Sequence, residues 1–471
     1  MVFSSLTFLC LFLPVVIGLH TAVKHTRVRN AILLVASLLF YSWGEPVWIA
    51  AMIFAALVNY VCAIRIDRAR TSAGRKAALA VGVVISLSAL FYFKYAVFCV
   101  NNFSALTGSD YRMAALKLPI GISFYTFQII TYTVDVYRGD APLQKNPLRL
   151  LLYVSLFPQL IAGPIVRYKH VAEAIENREV TRQGFGEGFF RFTLGLGKKV
   201  LLANLCGEVL ETLPTGAEMS FFSGWLAAIL FLFQLFFDFS GYSEMAIGLG
   251  RMLGFRFLEN FDAPFVSKSI SEFWRRWHIS LGAFFREYVY IPLGGNRVKK
   301  ARWIFNMIVV WALTGIWHGA NWNFLLWGLY FGFFIILERL VLKNILEKTP
   351  AAIRHILVVF LAITGFVLFR NESFAKIGAQ FRAMFAPWTV PISDPHAVYA
   401  FKSNLPLLFA CIVCSLPLRK RLVKWFKERR QRGKRNVLRP YLKAVLALSI
   451  LCLSVLFLVG QSFNPFLYFR F

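Results

Sequence analysis

Residues 311–328 read WALTGIWHGANWNFLLWG, with His318 inside one of the most apolar stretches of the chain. Trp311, Trp317, Trp322 and Trp327 surround it in sequence. An imidazole at membrane depth costs free energy, so membrane segments seldom carry one without a reason. A neutral imidazole there can act as a base, a proton relay or a ligand. The competing reading is a buried histidine bonded to a carbonyl. On a continuous helix, Trp311, Thr314, Asn321 and Trp322 would share its face. Gly315 and Gly319 form a small-xxx-small pair that lets helices approach closely.

A second constellation is SEFWRRWHISLGAFFREYVYIPLGGNR, residues 271–297. Helical spacing puts His278 on one face with Trp274. Arg275, Arg276, Arg286 and Arg297 are interleaved with aromatics. Guanidinium groups pair bidentately with phosphate, so this string suits a phosphate-bearing ligand. An interfacial helix whose arginines reach lipid headgroups fits the same pattern. The third constellation is FDFSGYSEMAIGLGRMLGF, residues 237–255. Asp238 and Glu244 there either pair with nearby arginines or line a polar path. No GxSxG elbow, HExxH, nucleotide fingerprint or other metal-ligand set is present. His20, His25, His170, His355 and His396 read as incidental.

These residues need a frame, and composition supplies one. Of 471 residues, 58% are hydrophobic and 16% charged. Soluble domains are about half apolar and about a quarter charged. Apolar runs here are continuous and reach the roughly 20 residues that cross a bilayer as a helix. A β-barrel would alternate instead. The expected fold is an all-α polytopic membrane protein with about 11 crossings. Apolar spans fall near 3–20, 30–43, 47–64, 77–93, 221–250, 303–341 (two elements, broken near Gly319), 353–369, 402–418 and 442–460, while 119–136, 148–163 and 188–205 are only moderately apolar and contain Gly and Pro. Residues 165–187 read as a cytoplasmic amphipathic region. Residues 257–300 read as a long loop or as short, partly embedded helices lining a cavity.

The net charge of +29 lies in loops, where Lys and Arg set orientation rather than bind nucleic acid. Residues 419–439 carry eleven Lys/Arg against one Glu and are expected in the cytoplasm. Lys24, Arg27 and Arg29 put the end of the first span inside and the N-terminus outside. The seven cysteines read as small buried residues.

The strings LPIGISFYTFQIITYTVDVYRG (118–139), FPQLIAGPIVRY (157–168), FDFSGYSEMAIGLGRMLGF (237–255), FWRRWHISLGAFFREYVYIPLGGNR (273–297) and LTGIWHGANWNFLLWG (313–328) occur in this order, after FYSWGEPVW (40–48). The chain thereby resembles the membrane-bound O-acyltransferase family, in the branch serving bacterial alginate O-acetylation. The resemblance implies a single domain over 1–471: N-terminal helices 1–117, a catalytic core 118–341 and C-terminal helices 342–471. It implies a ring of helices around a thinned centre with short tilted helices. It places the principal catalytic histidine on His318 and a second on His278. Trp317, Asn321, Trp322, Trp274, Arg275, Arg276 and Asp238 become candidates for lining the tunnel or holding the donor.

The implied reaction moves an acyl group from acetyl-CoA, or from an acyl carrier protein's phosphopantetheine, to a hydroxyl of an extracytoplasmic polysaccharide such as alginate. No cofactor would be permanently bound. The implied partners are the bilayer of the inner membrane and a separate SGNH-type acetyltransferase. A transporter or flippase is the rival reading. It would depend on Asp238 or Glu244 more than on His318. A scaffold without chemistry is the third.

Overall fold

The computed structural model describes residues 1–161, 163–418, 438–460 and 467, and these contain helices and no strand. The expected cytoplasmic loop 419–439 lies almost wholly outside the described residues. In chain order the first helices are α1 (Leu13–Ala22), α2 (Thr26–Ser42), α3 (Ile49–Arg68), α4 (Ser72–Thr107) and α5 (Ile122–Arg138). Then come α6 (Pro147–Ser155), α7 (Phe157–Leu160), α8 (Tyr168–Glu176), α9 (Arg182–Gly197), α10 (Leu205–Glu211) and α11 (Phe221–Met252). Two short helices follow, α12 (Ile270–Arg276) and α13 (Ile279–Phe285). The rest are α14 (Lys300–His318), α15 (Trp322–Leu340), α16 (Lys343–Lys348), α17 (Ala351–Arg370), α18 (Phe374–Phe385), α19 (Pro395–Ser403), α20 (Leu405–Ser415) and α21 (Leu438–Gly460).

Six of these helices are long and apolar enough to cross a bilayer: α3, α4, α11, α15, α17 and α21. The pair α19–α20, bent by 61°, makes a seventh if counted as one span. The count of about 11 is therefore not reached among the described residues. The missing candidates are helical but short or interrupted. Helices α2 and α5 have 17 residues each. The run 148–163 is cut at Leu156, before the four-residue α7. The run 188–205 changes to a π-helix at Lys198. Helix α14 has 19 residues, but Lys300, Arg302, Asn306 and its tryptophans lower its hydropathy.

The chain divides into two compact units: Met1–Phe192 with Tyr242–Leu258, and Thr193–Gly241 with Glu259–Phe471. In the first unit, α3, α4 and α5 are joined by a buried polar seam. Asn59 Nδ2 donates to Ser86 Oγ at 2.8 Å, and Thr133 Oγ1 donates to Asn59 Oδ1 at 2.8 Å. Interhelical hydrogen bonds of this kind hold helices where lipid gives no hydrophobic drive to associate. Helix α8 buries Tyr168, Val171, Ala172 and Ile175 on one side, as an amphipathic helix should. Arg178, just after it, donates through Nε to the Leu253 carbonyl at 3.1 Å and stacks on Phe255 at 4.7 Å.

The second unit carries an aromatic core that includes Phe236, Phe273, Trp277, Trp327, Phe331 and Phe366. Outside both cores, apolar side chains such as Val84 and Phe91 on α4 and Leu456 on α21 are exposed. Helices whose solvent is hydrocarbon show this pattern. The cysteines follow the same division. Cys62, Cys206 and Cys411 are buried, whereas Cys10, Cys99, Cys414 and Cys452 are exposed on apolar helices, against the expectation that all seven would be buried.

Candidate active site

Helix α14 ends at His318 because Gly319, with extended backbone, and Asn321 break the chain before α15 begins at Trp322. The two helices then fold back on each other closely. A Cβ on Gly315 would strike the backbone of Phe324, and one on Gly328 would meet Gly315 Cα at 3.0 Å. The close approach thus pairs Gly315 with Gly328 across the hairpin. Gly319 instead faces the ring of Phe324.

His318 is 7% exposed. Its ring lies 4.9 Å from Trp317, 5.0 Å from Trp327 and 5.2 Å from Phe369, centroid to centroid. Phe369 reaches it from the end of α17. Asn323 holds that end in place, donating through Nδ2 to the carbonyls of Leu368 at 3.2 Å and Phe369 at 3.1 Å.

Residues 257–300 fold as short helices and turns. Ser269 caps α12 by accepting from the Glu272 N–H at 3.0 Å. The helix stops at Arg276, Trp277 is extended, and His278 takes a left-handed φ of 46° before α13 starts. Such a φ is uncommon outside glycine and clusters at functional sites. The helical spacing of Trp274 and His278 is therefore broken. Both nevertheless line one cavity of about 150 Å³. Trp277, Gly282, Arg286, Tyr290, Met307, Trp311 and Thr314 also line it.

The cavity follows a stripe of α14: Met307, Trp311 and Thr314, with His318 next on that stripe. Trp317 packs against both histidines, 6.0 Å from the His278 ring and 4.9 Å from that of His318. His278 also packs edge-on against Phe239 at 4.5 Å. Burial pushes the His278 imidazole down to about 3, so it is neutral.

The remaining sequence candidates lie elsewhere. Arg276 is engaged by Glu272 at 2.8 Å and Asp262 at 3.7 Å, which opposes a role as a phosphate clamp. The (i,i+4) spacing of Glu272 and Arg276 is visible in the sequence. Arg275 is exposed and, like Arg276, does not line the cavity; Arg286 does. Asp238 pairs with Lys199 at 2.7 Å, each side chain 3% exposed, and accepts from the Leu467 N–H at 2.9 Å. Glu244 pairs with Arg191 at 2.6 Å. Both acids thus have cationic partners. Trp322 is 47% exposed at the start of α15, and Asn321 donates to the Glu372 carbonyl at 3.1 Å. Thr314 was placed by periodicity. Sequence reasoning missed Trp277 at the cavity and Phe369 against His318, which come from separate segments.

Two buried histidines that both pack against one tryptophan, beside an apolar cavity within a bundle of membrane helices, suit acyl chemistry kept from water. The profile of the membrane-bound O-acyltransferase family matches residues 33–375, and the chain belongs to that family. It is a multi-pass membrane O-acyltransferase. Over the full length of both chains it is 38% identical to a probable alginate O-acetylase of Azotobacter vinelandii. It is 34% identical to a peptidoglycan O-acetyltransferase of Helicobacter pylori, covering 72% of this chain and 70% of that one. A teichoic acid D-alanyltransferase of Bacillus subtilis is 30% identical over 45% of this chain and 56% of its own.

Proposed function

We propose that the protein transfers an acetyl group from a cytosolic thioester to a hydroxyl of an extracytoplasmic polysaccharide, with alginate as the acceptor its full-length relatives favour. Acetyl-CoA is the donor, and a carrier protein's phosphopantetheine thioester is chemically equivalent at the site. One observation carries this reading. The cavity runs along α14 and stops one turn short of the buried His318.

The basic residues Arg297, Lys299 and Lys300 put the start of α14 at the cytosolic face by the positive-inside rule. His318 then lies about 27 Å further along the helix, near the far side of a hydrocarbon core about 30 Å thick. By the same rule the N-terminus lies outside and 419–439 inside, in the inner membrane. The donor enters from the Arg286 end, and the pantetheine arm follows the aromatic wall.

His318 accepts the proton of the attacking hydroxyl, whose oxygen bonds to the thioester carbonyl carbon. The C–S bond breaks, and the leaving thiolate takes the proton back from the imidazolium. The carbonyl end of α14 supports that transient cation. Trp327 and Phe369 exclude water from it. A separate SGNH-type enzyme acts on the outer side.

Sealed vesicles test the reading. Labelled acetyl-CoA is supplied only at the cytosolic face and polysaccharide, with the separate enzyme, only at the other. Label should appear as an alkali-labile ester on the polymer. Ester formation only when donor and acceptor share one side would overturn the proposal.

A further inference from the structure

The left-handed turn at His278 is tied to Asn260 by four hydrogen bonds. The Asn260 carbonyl accepts from the Ile279 N–H at 2.9 Å. Its Oδ1 accepts from the Ser280 N–H at 3.2 Å and from Ser280 Oγ at 2.9 Å, and lies 3.2 Å from His278 Nδ1. A backbone N–H can only donate, so it fixes that side-chain atom as the oxygen. The oxygen in turn requires the hydrogen of the neutral imidazole on Nδ1. His278 Nε2, on the opposite edge of the ring, is then a lone-pair acceptor. It is buried, has no hydrogen-bond partner among the described residues, and belongs to a residue lining the cavity.

Such an atom cannot donate to a thioester carbonyl, so His278 does not polarise the donor's reacting group. A buried acceptor left unmet is costly, so it is expected to find a donor when the site is filled. On the reading above, the cavity takes the pantetheine arm, whose amides carry N–H groups. We infer that Asn260 is a positioning residue that holds His278 as the Nδ1–H tautomer, so that Nε2 accepts a hydrogen bond from an amide N–H of the donor's pantetheine arm. This rests on the donor entering by this cavity. It makes His278 a donor-binding residue and leaves proton transfer to His318.

Arg286 and Tyr290 line the same cavity, and His318 packs against Trp317, as His278 does. The His278 ring also meets Phe239, Phe261 and Asn260.

The test is steady-state kinetics on the full-length protein in detergent, with acetyl-CoA as the varied donor. Asn260→Ala should raise the donor KM at least fivefold and leave kcat within about twofold. Asn260→Asp should restore a low KM at high pH only. Its carboxylate favours the imidazolium, whose Nε2–H opposes the amide N–H, so KM should climb as pH falls. The wild type should show no such rise. A fall in kcat at unchanged KM, or identical KM–pH profiles for wild type and Asn260→Asp, would overturn the inference.

Should both variants misfold, the wild type decides. Its ¹⁵N-histidine NMR spectrum, with the His278→Gln spectrum subtracted, should show Nδ1 protonated. An Nε2-protonated ring would overturn the assignment. A wild type that bound acetyl-CoA without vectorial transfer would count against the proposed function and leave this inference standing.

Discussion

At the scale of single residues, a buried charge with a charged partner marks a group that holds the structure. Asp238 and Lys199 face each other at 2.7 Å, almost fully buried. Removing one member of such a pair leaves an uncompensated charge and costs about 3–5 kcal/mol, whereas replacing both with apolar groups is often neutral. Asp238→Ala should therefore markedly lower the unfolding temperature in detergent. Lys199→Met with Asp238→Leu should recover most of it along with acetyl transfer. A double variant that is stable but inactive would assign the pair to the chemistry. The Trp274 indole N–H is buried at the cavity with no hydrogen-bond partner among the described residues, so on the proposed reading it donates to the thioester carbonyl. Trp274→Phe keeps an aromatic ring and removes that donor; we expect kcat to fall about 100-fold, checked against folded protein by size exclusion.

His318 stood out in the sequence because an imidazole amid four tryptophans contradicts its surroundings. Asn260 did not. Its contact with His278 spans 18 positions and depends on a left-handed residue that no periodicity announces.

At the scale of elements, the site depends on how closely α14 and α15 fold back. The sequence carried the turn at Gly319 and the small residues. It paired Gly315 with Gly319 along one helix, while the contact that matters is Gly315 with Gly328 across two. Spacing within a helix is visible in a string, but registry between helices is set by packing. Gly315→Val would force side-chain atoms into the Phe324 backbone. It should cost about 1–3 kcal/mol and reduce activity with it, read as a lower unfolding temperature; an unchanged temperature would refute the contact. The segment 257–300 resisted sequence reading for a related reason. Helices of seven residues, such as α12 and α13, leave too few turns for a period to emerge.

At the scale of the whole molecule, class was the most legible property, because composition sums over hundreds of residues. The number of crossings was not. A window of apolar residues does not separate a full span from a 17-residue helix or one interrupted by a π turn. The proposed orientation rests on the basic loops. An engineered cysteine at Arg430, in protein whose other cysteines are replaced, should resist a membrane-impermeant thiol reagent applied outside and react once the membrane is opened; labelling from outside would reverse the topology.

The central claim is that His318 is the base, and its removal tests that most directly. Acetyl transfer from acetyl-CoA is measured for wild type and His318→Ala, each folded and reconstituted in membranes. General-base catalysis is worth about 10²–10⁴-fold, so the account predicts a fall in kcat of at least about 100-fold with the donor KM little changed. Transfer within about threefold of wild type would contradict it.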